Sequence, residues 1–229
     1  MTRDAKKSTS ISLRSALENL RLPQFAKSRT SGPVVVALEG PNGVGKTTLC
    51  RNLARLLDAP QCLGTDAAWF SESFKVRMIR EADWFASAMF FFSGCFEQMR
   101  TLGNRPEPLV VMDRSLWSTL AVHASDNVQH LEALLTMLQP IAGEVQVPTL
   151  TLTLKASFAT CQSRIAKKTG VDRELDQLTA SAAFHAREEE FYQWLASQRP
   201  EVVPLDAETV DPDELAKRAV TLIRRVAPC

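Results

Sequence analysis

The sequence predicts an α/β fold, a mainly parallel five-stranded sheet layered between helices. Three observations carry that prediction. Val34-Val35-Val36-Ala37-Leu38 is a continuous apolar run of the kind buried on both faces of a parallel sheet. Further short apolar runs alternate along the chain with helical periodicity, the order that crossover helices require. A glycine-rich turn joins the first run to the first strong helical pattern. No internal repeat or low-complexity tract competes with this reading.

Taken in order, residues 1–32 read as a poorly ordered N-terminal extension, although Ile11–Leu22 has the pattern of a short amphipathic helix. The remaining residues, 33–229, read as one domain. After the first strand and its turn, a helix is expected from Lys46 to about Leu57, with Leu49, Leu53, Leu56 and Leu57 on one face. A weak strand is expected near Gln61–Leu63, then helix from about Ser73 to Leu102, in one or two pieces. Leu109-Val110-Val111-Met112 is a clear strand ending at Asp113. Helical patterns follow at about 116–125 and 128–139. Leu150-Thr151-Leu152-Thr153-Leu154 is the next strand, continued by helix from Cys161 to Lys168. A charged stretch to Asp176 precedes a helix at about 179–197, and Val202-Val203-Pro204-Leu205 is a last short strand. Asp211-Pro212 opens a final helix, with proline at the first helical position.

Composition narrows the classes. The 229 residues are 45% apolar and 23% charged, as in an ordinary globular domain. A net charge of +1 argues against a nucleic-acid binder, which carries a basic excess. No run of about 18 apolar residues predicts a membrane span. The five cysteines (Cys50, Cys62, Cys95, Cys161 and Cys229) show no metal or disulfide spacing, which points to free thiols in the cytoplasm. The middle four read as small core residues.

The chemistry lies first in the turn. Gly40-Pro41-Asn42-Gly43-Val44-Gly45-Lys46-Thr47 fits G-x-x-x-x-G-K-[ST], after a buried strand and at the start of a helix. Glycines let successive backbone N–H groups converge on phosphate oxygens, and the helix N-terminus adds its positive end. Lys46 should reach the β- and γ-phosphates of a nucleoside triphosphate, and the Thr47 hydroxyl should hold Mg²⁺. Gly40, Asn42, Gly43, Val44, Gly45, Lys46, Thr47 and Thr48 are the expected nucleotide contacts. With the strand–helix alternation, this makes the fold a P-loop NTPase three-layer fold. The D-x-x-G and N-K-x-D motifs of GTPase switches are absent from the sequence. The coupling domains of motor ATPases do not fit in a chain this short, which leaves kinases of small molecules.

Asp113-Arg114-Ser115 ends a strand on the same sheet edge as the glycine turn, where active sites of such sheets lie. The Asp113 carboxylate can hold Mg²⁺ or the acceptor, and Arg114 can clamp an anionic acceptor with two hydrogen bonds. An aspartate capping the helix that follows is the bland rival reading.

At these residues the chain resembles the thymidylate kinase family of nucleoside monophosphate kinases. Leu38-Glu39-Gly40 through Thr48 resembles that family's E-G-x-D-G-x-G-K-[ST]-T loop, with Asn42 at the aspartate position. Asp113-Arg114-Ser115-Leu116-Trp117-Ser118-Thr119-Leu120-Ala121 resembles its D-R-[YFW]-x-x-S-x-x-A motif, with Ser115 at the aromatic position. Cys161–Asp176 is similar to its basic lid, and Val203–Ala207 with the last helix to its terminal strand, adenine-side loop and helix. The resemblance implies an ATP- and Mg²⁺-dependent kinase in which Arg114 grips the acceptor phosphate, Asp113 lies near Mg²⁺ and lid cations close over the donor. Val122-His123 replaces the family's Tyr-Gln, and Cys62–Asp66 replaces its R-E-P-G-G-T segment, so the differences gather on the acceptor side. Asp113-Arg114-Ser115 and Leu154–Ile165 also resemble the deoxynucleoside kinases. That likeness implies a sugar hydroxyl as acceptor, with Asp113 or Asp66 as base.

A lid over about 165–178 completes the expected site. Arg164, Lys167 and Lys168 are three and four apart on one predicted helix face, Arg173 follows, and Thr169-Gly170 breaks the helix where a flap would hinge. Converging cations stabilise the charge spread over a transferring phosphoryl group. A solvated basic face neutralised by Asp172, Glu174 and Asp176 is the rival. On the acceptor side, Arg77, Phe91, Ser118 and His123 are candidates. Phe91 lies on a helix face that could line a base pocket, pack on another helix or join two copies in a homodimer. Arg77 could contact an anion or be merely exposed. Glu188-Glu189-Glu190 reads as a solvated helix face. The expected partners are small nucleotides, without nucleic acid or membrane.

Overall fold

A computed structural model of the chain describes residues 13–27, 32–65 and 71–227. α1 (Leu13–Asn19) and β1 (Ala26–Lys27) come first. The first apolar run forms β2 (Val34–Glu39), buried from Val35 onward, and α2 (Lys46–Leu57) leaves the glycine turn. β3 (Gln61–Leu63) is followed by α3 (Glu72–Arg80) and α4 (Trp84–Leu102). These two helices are separate because each has its own cap. Ser71 accepts the Phe74 amide, and Asp83 accepts those of Phe85 and Ala86. β4 (Leu109–Asp113) leads to α5 (Leu116–Asp126) and α6 (Val128–Leu138), divided by the capping residue Asn127. β5 (Gln146–Val147), β6 (Leu150–Lys155), α7 (Phe158–Ala166), α8 (Gly170–Leu178), α9 (Ala182–Gln198), β7 (Val202–Asp206) and α10 (Pro212–Ile223) complete the chain.

The main sheet has five strands in the order β3-β4-β2-β6-β7, all parallel. β2 is its centre, so the turn after β2 opens between the ends of β4 and β6. Two apolar layers enclose the sheet. On one side Leu120, Leu131, Phe92, Phe191 and Leu195 join α4, α5, α6 and α9. On the other Leu49, Leu53, Ala216 and Ala219 join α2 and α10 to the strands. The predicted three-layer architecture is the observed one. No helix among the described residues is long and apolar enough to cross a membrane.

Three expectations need correction. Residues 13–27 are part of the body of the fold. Leu13, Leu17 and Phe25 are buried in the α4–α5–α9 layer, Phe25 packs edge-on against Trp117, and β1 pairs with β5. The sequence hid this because a seven-residue helix and a two-residue strand carry too little periodicity to be read alone. Residues 1–12 and 28–31 lie outside the described residues. Leu56 does not join the buried face of α2: it is 45% exposed, and Cys50 takes the place beside Leu49 and Leu53. Of the middle cysteines, Cys50, Cys95 and Cys161 are buried and Cys62 is half-buried; Cys229 lies outside the described residues.

Candidate active site

The turn between β2 and α2 has the shape its glycines allow. Gly40, Gly43 and Gly45 have φ of +130°, +80° and +113°, a region that side chains disfavour. Space forbids a side chain as well. A Cβ at Gly40 would lie 2.5 Å from the Leu154 carbonyl oxygen, and one at Gly43 would collide with the Cys161 carbonyl. Among the described residues no acceptor in the chain meets the amides of Gly43, Gly45, Lys46 or Thr47. Such converging amides at a helix N-terminus form an anion cradle.

Lys46 is 6% exposed and donates to the carbonyls of Gly40 (2.6 Å) and Pro41 (2.8 Å). Burial, then the neighbouring Arg114 charge, brings its ammonium down to about 7. Thr47 Oγ1 donates to Asp113 Oδ2 at 2.7 Å, joining the first turn of α2 to the end of β4. A hydroxyl and a carboxylate suit Mg²⁺, which fills its other positions with water and substrate phosphates. Among the described residues no cluster of three His, Cys, Asp or Glu side chains offers an all-protein metal cage. The donor set therefore fits a metal that arrives with phosphates, and the cradle fits the phosphates.

Arg114 stands beside this loop in an unusual backbone state, φ +72°. Its N–H donates to Leu38 O at 3.0 Å, and Gly64 lies so close beneath its carbonyl that a Cβ there would collide with it. A left-handed arginine is costly, and surrounding structure must hold it. The guanidinium donates to Ser118 Oγ (3.1 Å) and to Asn42 Oδ1. Asn42 Nδ2 in turn donates to Thr179 Oγ1 at 3.1 Å, tying the loop to the segment after α8.

Beneath Arg114 lies Glu39, fully buried at the end of β2. Its carboxylate accepts the Ser115 amide (2.7 Å), Ser115 Oγ (2.6 Å), Ser118 Oγ and Tyr192 Oη (3.2 Å). Burial pushes this carboxyl up, while the serines and then Arg114 pull it back. Ser115, the residue found where the resembling family has an aromatic side chain, thus holds the carboxylate and caps α5.

The lid residues behave differently from one another. Arg164 donates to Val44 O (2.8 Å) and to Ala207 O (2.9 Å), a strut from the phosphate loop to the turn after β7. Lys168 pairs with Asp176 at 2.6 Å. α7 stops at Ala166, so Arg164, Lys167 and Lys168 do not share one helix face; α8 restarts at Gly170 with φ +68°. The side chain of Arg173 and the alternative base Asp66 lie outside the described residues.

Of the acceptor-side candidates, Ser118 is gathered into the site. Arg77 is not: it is exposed and paired with Glu81 on its own helix at 3.3 Å. His123 sits in an aromatic cluster, edge-on to Trp84 (6.1 Å), which stacks on His130 at 4.0 Å. Burial, then His130, brings its imidazole down to about 4. Phe91 is half-buried and packs edge-on against Phe90 at 5.0 Å.

Sequence reasoning missed Glu39, Tyr192 and Glu188 as site residues. Glu188 is buried rather than solvated, and burial pushes its carboxyl up to about 7, with Lys46 and Arg114 opposing. A signal existed for both carboxylates. Glu39 ends an otherwise apolar buried strand, and Glu188 shares the helix face of His185, Phe191, Tyr192 and Leu195.

No family model matches the sequence. Curated relatives match locally, among them two named ATP-dependent protease ATPase subunit HslU. That of Caldanaerobacter subterraneus subsp. tengcongensis is 38% identical over 58 residues, 25% of this chain and 12% of that protein. That of Parvibaculum lavamentivorans is 39% identical over 70 residues, 31% of this chain and 16% of that protein. The chain therefore spans only a small part of either. Solved structures match along most of the chain. Thymidylate kinase from Candida albicans superposes with a TM-score of 0.66 at 17% identity, covering 86% of this chain and 93% of that one. Deoxyadenosine kinase from M. mycoides with bound dATP gives 0.63 at 15% identity, covering 83% and 99%. The same enzyme with products gives 0.64 at 14%, covering 84% and 100%. The fold is that of these P-loop kinases.

Proposed function

We propose that the protein is an ATP- and Mg²⁺-dependent nucleoside monophosphate kinase of the thymidylate kinase type, transferring the γ-phosphoryl group of ATP to a nucleotide phosphate. The observation that carries this reading is the contact between the Arg114 guanidinium and Asn42 of the phosphate loop. An arginine in that position can grip an acceptor phosphate beside the donor, with two parallel hydrogen bonds available. Lys46 lies ready to exchange the Gly40 and Pro41 carbonyls for phosphate oxygens. Thr47 and Asp113 would hold Mg²⁺, which neutralises charge on the reacting phosphates. Arg164 braces the loop through Val44 O, and the cations of 165–178 would close the lid. Catalysis then rests on positioning and electrostatics, with no covalent enzyme intermediate.

A second reading, a nucleoside kinase acting on a sugar hydroxyl, is favoured by one observation. Glu188 is a buried carboxyl on a cleft shared with Pro41 and Asn42 of the phosphate loop, and burial pushes it up to about 7, the range in which a general base works. Purified protein with Mg-ATP, offered panels of nucleosides and of nucleoside monophosphates, separates the two. ADP release with monophosphates supports the first reading, and release with nucleosides alone overturns it. Release with neither leaves a non-catalytic nucleotide-binding protein. Lys46→Ala should abolish transfer without unfolding the chain, and undiminished turnover would refute the phosphate-loop argument.

A further inference from the structure

Glu188 has no task in the leading reaction, yet it is 5% exposed and lines a cleft with Pro41, Asn42, Gln162 and Thr179. Among the described residues it makes no hydrogen bond and no ion pair. Its carboxyl thus finds no partner among them, and its oxygens are not sealed from solvent, so the cleft leaves them open to a ligand.

The charges around it narrow what that is. Lys46 from α2 and Arg114 from the end of β4 attract it, and Glu39 from β2 repels it. Other nearby groups are engaged elsewhere. His185, one turn earlier on α9, is turned to Ala156 O (3.0 Å) and Glu189 Oε1 (3.7 Å). Arg187 donates to Ser125 O, Asp176 of α8 pairs with Lys168, and Arg164 of α7 is held by Val44 O and Ala207 O. Asp113 is bonded to Thr47. The two cations that support Glu188 are therefore the same two that bound phosphates would claim.

Once a phosphate takes those cations, an ionised Glu188 would face a second anion without compensation. Like charges sharing a site raise a carboxyl's affinity for its proton. Protonation also converts the group from an acceptor only into a hydrogen-bond donor. We propose that Glu188 is a third protein ligand of the phosphate site: its carboxyl takes one proton from solvent as nucleotide phosphate engages Lys46 and Arg114, and donates a hydrogen bond to a phosphate oxygen. Glu39 cannot play this part, because its oxygens already accept four donors. The inference rests on the proposed reading only in that phosphates occupy this site, not in which acceptor follows. Because Glu188 already titrates near neutrality without ligand, the proton comes at small cost.

The probe is Mg-ATP without acceptor, titrated calorimetrically at pH 7.5 in two buffers of different ionisation enthalpy. With an unliganded value of about 7 and a much higher liganded one, Glu188 contributes uptake of roughly three quarters of a proton per site. Glu188→Gln, whose amide donates as the acid would, should lose that contribution while keeping Mg-ATP affinity within a few-fold. Glu188 also helps Lys46 hold its proton, so Lys46 takes up more in the variant, and the net difference is a loss smaller than three quarters of a proton. The wild-type to variant affinity ratio should also fall roughly tenfold between pH 6 and pH 8, as wild type pays increasingly for the proton. If Glu188→Gln does not fold, Glu188→Met, equally unable to titrate, replaces it in the uptake measurement. Binding with the same uptake in wild type and variant overturns the inference alone. Uptake lost in the variant, with no monophosphate phosphorylated, overturns the acceptor assignment and leaves the inference standing. No Mg-ATP binding at all overturns both.

Discussion

Replacing Glu39 with alanine tests whether the buried carboxylate organises the acceptor side. The substitution strips the Ser115 amide of its acceptor at 2.7 Å, and removes the anion shared by Ser115, Ser118 and Tyr192. The serine hydroxyls can rotate toward other partners, but the amide and the Tyr192 hydroxyl cannot easily do so, and each buried orphan costs about 1–3 kcal/mol. Arg114 loses one of its buried counter-ions as well, so the total should approach the ~3–5 kcal/mol typical of breaking a buried charge cluster. For a chain of this size each kcal/mol lowers the melting temperature by roughly 2–4 °C, giving a fall of about 6–20 °C. Glu39→Gln keeps the shape and two acceptor sites and should lose less than half as much. In kinetics, Glu39→Ala should raise the acceptor KM by roughly tenfold or more, since Arg114 loses its fixed geometry, with the ATP KM much less affected. Scanning calorimetry and initial-rate assays read both effects. A melting shift below about 3 °C would refute the energetic argument, and an unchanged acceptor KM would refute the link to Arg114.

Two further predictions concern the backbone and the N-terminal segment. Gly43→Ala should weaken Mg-ATP binding by roughly a hundredfold, because it adds a φ penalty of about 1–2 kcal/mol to a collision with the Cys161 carbonyl. Equilibrium nucleotide titration checks it, and native affinity would show that the loop accommodates a side chain. Leu17→Ala, at a position 2% exposed in the helical layer, should cost about 2–5 kcal/mol by denaturant unfolding. A cost below about 0.5 kcal/mol, as for an exposed surface site, would show that α1 is not an integral part of the core.

Much of this protein is legible along the chain because its signals are local. The apolar run at 34–38, the glycine turn and the proline-started last helix each declare themselves within about ten residues, and α2, β3, β4, α5, α6 and β6 fall where their periodicity puts them. The phosphate-loop residues could also be named in advance, since backbone wrapping requires glycine at fixed spacing. The docking of residues 13–27 was not legible, because its evidence is Trp117 and α9, more than 90 residues away.

The sequence by itself determined the glycine turn: a loop whose positive φ angles call for glycine, with Lys46 and Thr47 carried at its helix start. Only the tertiary structure decided which polar groups stand around it. Parallel pairing of β2 with β4 sets Leu38 opposite Asp113, which brings Glu39 beneath Ser115 and Arg114. Packing of α9 on α5 turns Tyr192 inward, and with it Glu188 from a triplet, 188–190, that reads as solvated. A charged residue in a helix shows its cost only when the neighbours that desolvate it are known, and those neighbours lie far along the chain.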